Sequence, residues 1–564
     1  MRYLVLATDY DGTLADQGRV SEKILHELEL LKASGRRLIL VTGREMKDLV
    51  EVFPDYKIID YIVAENGGLI HEPATGKEQL LGPPPDESFV RALADGGVHP
   101  ISVGKVIIAT WEPHEKTVLD VIKASASERQ VIFNKGAVMI LPPGVNKATG
   151  LQHLLYSLHL SLHNTVAIGD AENDGALLQA AECAVAVANA LPGLKSLADW
   201  VTDASHGEGV SQLIQALLAT DLSGLDARLT RHYLQLGERE DGSPFHISPY
   251  GKGILLAGAS GSGKTTFTLS IVESMVKQGY QFCLIDPEGD YLQLPGAVVI
   301  GNDQALPLIE EIARLLQAPG QNVVVCTLSI PLADRPAFFG RFLSMFLDLR
   351  KEYGHPHWLL LDEAHHLVPG QAETLADRLP EQLANFILIS TSPHALSATS
   401  LSRVSTVMAI GKDSAYPFQQ FCEKLQLPMP SNIPSLSENE IAVWDRENGP
   451  AVYKARFNLP VQLQQRHKKK YAQGDMSYNS FIFTGPGNKM HLKANNLLLF
   501  AHIAEGIDAE TWWFHLRRQD FSHWFRDSVH DEDLARVGEE AEKISDMEAS
   551  KKHILSYITT KYTA

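Results

Sequence analysis

Along the first 460 residues, short apolar runs alternate with amphipathic stretches. Residues 3–8 (YLVLAT), 37–41 (RLILV), 61–65 and 166–169 form one series, and residues 253–257 (GILLA), 281–285, 322–328, 357–361, 386–390 and 406–410 form a second. Each run has strand length and is apolar at consecutive positions, the mark of parallel strands covered on both faces. Helical periodicity fills most of the intervals, as in residues 21–33, which Gly35 ends, and residues 267–276. Residues 82–142 break the first series. They hold short β-like runs at 103–109, 131–133 and 137–141 and a helix near 115–125, which predicts a small inserted α/β unit. Residues 221–241 start helix-like and pass into polar linker chemistry at Gly237 and Asp241-Gly242. Beyond residue 460 the pattern changes. A short strand at 480–484 and a Gly485-Pro486-Gly487 turn precede helical segments at 492–504, 509–517, 521–529, 533–544 and 550–562. The expected organisation is an α/β segment 1–220 with its insertion, an α/β segment 221–460, and a mainly helical segment 461–564.

Composition adds exclusions. A chain of 564 residues suits three or four domains. A net charge of −18 disfavours a strongly basic nucleic-acid binder, although a basic lining inside a groove or ring would not show in the total. Cys183, Cys283, Cys326 and Cys422 are far apart and form no C-x-x-C pair, so neither a zinc site nor a disulfide framework is expected. The apolar run at the N-terminus is too short for a signal peptide and no run has membrane-spanning length, which points to a cytoplasmic protein without a membrane partner.

The most specific local signal is residues 258–266, GASGSGKTT, set between the run 253–257 and a helical pattern. Strand, glycine-rich turn and helix in that order form a phosphate-binding loop for ATP. Gly258, Gly261, Ser262 and Gly263 let backbone N–H groups point at phosphates, Lys264 reaches the β- and γ-phosphates, and Thr265, with Thr266 beside it, offers a hydroxyl to Mg²⁺. The run 357–361 ends in Asp362-Glu363. There Asp362 is placed to hold Mg²⁺ through water and Glu363 to orient the attacking water. The run at 323–328 falls in the chain between the P-loop and Asp362.

The first series also carries chemistry at its strand ends. Asp9-Tyr10-Asp11-Gly12-Thr13 follows the first run, and two carboxylates at i and i+2 suggest divided roles. One attacks phosphorus and binds a metal; the other gives and recovers a proton. Thr42-Gly43-Arg44 follows the second run, Asn66-Gly67-Gly68 the third, and Asp170-Ala171-Glu172-Asn173-Asp174 the fourth, with Asn146-Lys147 before it.

DYDGT, VTGR, the lysine of GVNKATGL, and GDAEND, in this order, resemble the four motifs of the haloacid dehalogenase (HAD) phosphatase superfamily. The resemblance implies a Rossmann-like core. It makes Asp9 the nucleophile that forms an aspartyl-phosphate and Asp11 the general acid/base. Thr42 and Lys147 become phosphoryl-holding groups, Asp170 an Mg²⁺ ligand with Asp9 and Asp11, and Asp174 its support. Gly43, Asn66 and Asn173 fall at the phosphate or substrate. The insertion 82–142 resembles the small α/β cap of the subfamily that includes sugar-phosphate phosphatases, so a phosphorylated sugar or related metabolite is the expected substrate. Residues 187–189 and 206–210 (HGEGV) complete the resemblance.

In the second segment, LIDPEGDY (284–291) and LLLDEAHHLVP (359–369) resemble the HerA/FtsK branch of RecA-like ring ATPases over roughly residues 250–415. That implies a RecA-like domain in a hexameric homo-oligomer that moves on double-stranded DNA, and DNA or RNA is the candidate polymer partner. The position that commonly carries a sensor glutamine reads Ser390-Thr391-Ser392-Pro393-His394, a departure that bears on nucleic-acid coupling and not on ATP hydrolysis. Arg403 is a candidate arginine finger, with Arg378 its competitor. In the last segment the basic run 466–470 (RHKKK) reads as a solvated linker, and Trp512, Trp513, Phe514, Phe521, Trp524 and Phe525 read as a helical core of an interaction or regulatory domain.

The expected function is therefore an Mg²⁺-dependent phosphomonoester hydrolase joined to an ATPase. Three relations between the two are open: a nucleic-acid motor with an attached phosphatase, a metabolic phosphatase governed by an ATP-gated switch, and a phosphatase–kinase pair. Glu363 and the extra strand expected at 323–328 between the P-loop strand and Asp362 argue against the third, because they favour water as the phosphoryl acceptor.

Overall fold

A computed structural model describes residues 1–125, 128–370, 383–461, 480–529 and 531–562. They divide into two compact units, Met1–Phe457 and Asn458–Ala564. The larger unit is built on two big sheets. The first has eight strands in the order Trp200–Val201, Cys183–Ala186, Thr165–Gly169, Val5–Thr8, Arg37–Val41, Tyr61–Ala64, Leu69–Glu72, Lys77–Leu80. Its six leading strands are parallel, Leu69–Glu72 pairs antiparallel to the sixth, and Lys77–Leu80 pairs antiparallel to Leu69–Glu72. The four central strands carry the apolar runs of the sequence, and their buried side chains form one core with the flanking helices.

Residues 87–141 leave this core as a separate layer. Four antiparallel strands, in the order Ser102–Val103, Ile108–Trp111, Ala137–Leu141, Gln130–Asn134, pack with helices Glu87–Asp95 and Glu115–Ala124 around Phe89, Leu93, Ile108, Val118 and Ile140. Buried Glu65 fixes where this cap joins the core, because its carboxylate accepts the backbone N–H groups of Lys105, Val106 and Ile107.

The second sheet has eleven strands in the order Pro244–Ile247, Leu234–Arg239, Tyr453–Phe457, Glu440–Asp445, Thr406–Ile410, Gly253–Ala257, Phe386–Ser390, Trp358–Leu361, Phe282–Asp286, Asn322–Cys326, Ala297–Ile300. The seven strands from Thr406–Ile410 to Ala297–Ile300 are parallel. In space, Phe386–Ser390 separates the P-loop strand from the strand of Asp362, while Asn322–Cys326 lies beyond Phe282–Asp286. The stretch read as polar linker at Gly237 and Asp241-Gly242 is instead a hairpin, Leu234–Arg239 with Pro244–Ile247, added to the sheet through Tyr453–Phe457. Its turn residues were legible; its alternating, half-exposed strands hid the pairing.

The two sheets share a buried seam. The first core includes Leu222, Leu229 and Tyr250, which the chain reaches only after leaving the first sheet. Glu182, 1% exposed, sits at the seam. Its Oε1 accepts the hydroxyls of Tyr250 and of Tyr280 (2.9 Å), and its Oε2 lies 2.5 Å from His163 Nδ1 and 3.8 Å from His232 Nδ1. His163 stacks on Tyr280 with ring centres 3.9 Å apart. Asn164 donates to the carbonyls of Arg2 (2.9 Å) and Gly354 (3.1 Å), joining both halves.

The smaller unit holds a hairpin, Phe481–Phe483 with Leu492–Ala494, and five helices among the described residues. Residues 492–494 are thus strand, and the helix expected from 492 begins at Leu497. Trp512, Phe521, Trp524 and Phe525 are core, as the helical periodicity implies. The basic run 466–470 lies outside the described residues.

Candidate active sites

The carboxyl ends of the first sheet's central strands gather one site. Val5–Thr8 delivers Asp9, Thr165–Gly169 delivers Asp170, and the turn after it delivers Asp174. Oxygens of these three buried carboxylates lie within 4.8 Å of one another. Lys147, at the start of the helix Lys147–Ser157 and 1% exposed, places its ammonium 2.6 Å from both Asp9 Oδ1 and Asp174 Oδ1. Asp174 also accepts the backbone N–H groups of Asp170 and Ala171, which fixes the turn. Burial raises the pKa of Asp9, and Asp174 and Asp170 add to the rise against the pull of Lys147. Burial likewise raises Asp170, against Lys135. Three clustered carboxylates exceed the buried cationic charge available to them, and an all-oxygen donor set of this kind fits Mg²⁺.

Gly12 makes the gathering possible. Its φ is +87°, and a Cβ there would stand 2.3 Å from Asp170 Oδ2. Its carbonyl accepts from Asn189 Nδ2 (2.8 Å) and stands 2.9 Å from His206 Nδ1, which ties the first turn to residues from the far end of the domain.

Asp11 is placed differently from Asp9. Its carboxylate turns to Arg44, which binds it at 2.6 and 2.7 Å and also pairs with Asp48. Its carbonyl oxygen, by contrast, shares a neighbour with Asp170 Oδ2, since both lie within hydrogen-bond distance of the Lys135 ammonium. Thr42 is fully buried, and its hydroxyl accepts the Arg44 N–H (3.1 Å). Asn173 donates to Asn66 Oδ1 (3.0 Å), while Asn66 Nδ2 and Asn173 Oδ1 are buried with no hydrogen-bond partner among the described residues. Gly43 sits beneath Met139 of the cap, whose Cε would be 2.9 Å from an added Cβ.

One cap residue reaches into this site. Lys135, in the turn between Gln130–Asn134 and Ala137–Leu141, places its ammonium 2.6 Å from Asp170 Oδ2 and 3.1 Å from the Asp11 carbonyl. Arg44 was visible in VTGR without a role. Lys135 carried no sequence signal, because nothing in NKG announces which way its side chain reaches.

The second sheet forms the other site. Gly258, Gly261, Ser262 and Gly263 form the loop after Gly253–Ala257, and Gly261 and Gly263 have φ of +73° and +103°. Lys264 opens the helix Lys264–Gln278, and its ammonium donates to the Gly258 and Ala259 carbonyls at 3.1 Å each. Glu363 Oε1 is 4.0 Å from it. Burial, then Glu363, pushes the Asp362 carboxyl up to about 8. Thr265 Oγ1 faces Asp290 Oδ2 at 3.4 Å, and Thr266 follows in the same helix. The DPEGDY loop is held by Asp286, which accepts the N–H groups of Glu288, Gly289, Asp290 and Tyr291. His365 Nδ1 stands 3.3 Å from Glu363 Oε2 and 3.3 Å from Ser390 Oγ, joining the Asp-Glu turn to the neighbouring strand. Asp290 and His365 were not singled out from sequence.

Arg403 precedes Thr406–Ile410, and its carbonyl lies against Gly253, the first residue of the P-loop strand. It therefore sits at the amino end of these parallel strands, opposite the edge that carries the P-loop. The structure does not bring it to the P-loop of its own chain. Arg378 lies outside the described residues.

Known proteins match the same two regions. A family profile for haloacid dehalogenase-like hydrolases matches residues 6–84 and 98–214. A phosphoglycolate phosphatase of Methanothermobacter thermautotrophicus is 29% identical over 218 residues, 38% of this chain and 98% of that protein. One from Haloarcula marismortui is 32% identical over 220 residues, 37% of this chain and 95% of that protein. The chain belongs to the haloacid dehalogenase-like hydrolases. In this HAD-type hydrolase the match occupies the first sheet and its cap. A separate profile, described as an AAA domain, matches residues 250–397, which span the P-loop and the Asp362 strand. The protein is thus a HAD phosphatase that carries a P-loop ATPase domain. No helix among the described residues is long and apolar enough to cross a membrane.

Proposed function

We propose that the chain hydrolyses small phosphomonoesters through a phosphorylated Asp9, and that its P-loop domain hydrolyses ATP to set the state of that phosphatase. The observation that carries the first part is the buried Lys147, shared at 2.6 Å by Asp9 and Asp174 beside Asp170. An Asp9 oxygen attacks phosphorus, the ester P–O bond breaks, and the leaving oxygen takes a proton from Asp11. Water then attacks the same phosphorus and gives a proton to Asp11, phosphate leaves, and the Asp9 carboxylate is restored. For these transfers the Asp11–Arg44 pair must open. Lys147 and the Thr42 turn hold the phosphoryl oxygens, and Asn66 and Asn173 supply further polar atoms. Asp9, Asp170 and the carbonyl oxygen of Asp11, with Asp174 in support, would hold Mg²⁺, which would supply charge neutralisation for the transferred group.

Phosphoglycolate, named in the relatives, is the first substrate to test, and sugar phosphates are the alternative class. With Mg²⁺, the wild type should release phosphate from one of them, and Asp9→Asn should lose at least about 10³-fold in kcat while ATP hydrolysis persists. Phosphate release unaffected by Asp9→Asn would refute the mechanism.

In the ATPase domain, Lys264 and Thr265 serve ATP and its Mg²⁺, Asp362 serves that Mg²⁺ through water, and Glu363 orients the attacking water. The strand Phe386–Ser390 between the P-loop strand and the Asp362 strand supports a RecA-like, HerA/FtsK-like module and favours a second reading, a hexameric motor on DNA or RNA. ATP hydrolysis measured with and without duplex DNA, single-stranded DNA and RNA separates the readings. Stimulation by a polymer indicates the motor, and a rate indifferent to all three indicates the switch. Transfer of labelled phosphate to a substrate instead of water would indicate a kinase.

A further inference from the structure

Among the described residues, three cations contact the carboxylates of the phosphatase site, and they are committed to different degrees. Lys147 is buried between Asp9 and Asp174. Arg44 is clamped by Asp11 and Asp48. Lys135 differs in origin and exposure: it comes from the cap, its side chain is 46% exposed, and its backbone is left-handed (φ +48°) in a two-residue turn with Gly136. That turn projects the ammonium out of the cap and onto the core. Its two contacts, the Asp170 carboxylate and the Asp11 carbonyl, are oxygens of the group assigned above to Mg²⁺. An ammonium and a divalent cation cannot share one carboxylate oxygen without strong repulsion. An Mg²⁺ ion on Asp170 would displace the Lys135 ammonium, which is half-exposed and comes from the cap, the layer that faces the core's catalytic carboxylates.

We propose that Lys135 reads the substrate: its ammonium leaves Asp170 when Mg²⁺ binds and pairs with a second anionic group on the substrate, close to the ester. The site then selects small phosphomonoesters that carry a carboxylate over neutral ones of equal size. This rests on the phosphatase reading above. It makes Lys135 a specificity residue, not a participant in phosphoryl transfer.

Two substrates of nearly equal shape isolate the effect. In 2-phosphoglycerate a carboxylate replaces one hydroxymethyl group of glycerol 2-phosphate. The ratio of kcat/KM for the two, measured with Mg²⁺, should fall about tenfold or more in Lys135→Ala, mainly through KM for the carboxylate, and Lys135→Arg should restore most of it. Calorimetric titration with Mg²⁺ alone provides a readout apart from turnover: Lys135→Ala should bind Mg²⁺ several-fold tighter, because a competing tethered cation is gone. A ratio unchanged within about twofold overturns the proposal whatever the calorimetry shows. Weaker Mg²⁺ binding in Lys135→Ala also overturns it, since Lys135 would then support the metal site. Wild-type protein inactive on every phosphomonoester would instead remove the phosphatase reading on which the proposal stands.

Discussion

The Nε2 of His163 lies 2.9 Å from the carbonyl oxygen of Gln278, the last residue of the P-loop helix. That helix begins at Lys264 and runs for 15 residues, about 22 Å, from the ATP site to the seam. His163 in turn immediately precedes Asn164 and the strand Thr165–Gly169, which ends at Asp170. One rigid element on each side thus leads from a nucleotide site to a phosphatase site, and His163 joins the two with this contact and with its stack on Tyr280. A non-hydrolysable ATP analogue should change phosphatase kcat/KM by about fivefold or more, in the usual range for coupled sites. His163→Ala should shrink that response towards none while phosphatase activity without nucleotide survives. An analogue without effect on the wild type would show that the seam is only structural.

The seam also sets a pH dependence. Burial holds His357 well below the ordinary histidine range and lowers His355 to about 4. Both are neutral in the fold but titrate near 6.5 when unfolded, so their contribution is complete above pH 6.5 and is lost as pH falls towards 4. Glu182 acts lower down. Burial opposes its charge, but His163, His232 and Tyr250 outweigh burial and bring it to about 2, from 4.5 unfolded. Its contribution is present above pH 4.5 and lost between 4.5 and 2. The thermal midpoint should therefore begin to fall below pH 6.5, and His355→Gln should flatten the upper part of that fall. Melting curves from pH 8 to 4 test this, and a midpoint flat from 6.5 to 5 would count against it.

Gly12→Ala should be far more damaging than its size suggests. The added methyl group would collide with Asp170 and strain a left-handed residue. A displacement of about 1 Å between Asp9 and Asp170 should cost roughly 10²-fold in phosphatase kcat/KM. ATP hydrolysis in the same preparation serves as the folding control.

In the ATPase, Lys264→Ala should abolish ATP hydrolysis, and Glu363→Gln should slow it about 10²-fold while leaving ATP binding intact, as measured by fluorescent-nucleotide titration. Retained hydrolysis in Lys264→Ala would remove the P-loop assignment.

Much of this was legible in the sequence because parallel strands buried on both faces write themselves as apolar runs, and ligand-facing residues follow their ends. Asp9, Asp170, Lys264 and Asp362 all announce themselves that way. The hairpin of Leu234–Arg239 did not, because its strands are only half buried and its register depends on a partner more than 200 residues away, Tyr453–Phe457. Lys135, Asp290 and His365 were silent for a similar reason: each matters through where a turn aims its side chain, and a turn's direction depends on packing. Asp11 shows a finer limit. Its spacing from Asp9 was clear, but the pairing of its carboxylate with Arg44 depends on the loop after the second strand.

The seam has a consequence for inheritance. Leu229 and Tyr250 fill the phosphatase core although they lie beyond its last strand, and Tyr250 shares Glu182 with Tyr280 of the ATPase half. A recombination event that exchanged one half at the apparent junction near residue 220 would leave a hole in the other. The pair can be passed on, duplicated or lost together far more readily than it can be shuffled.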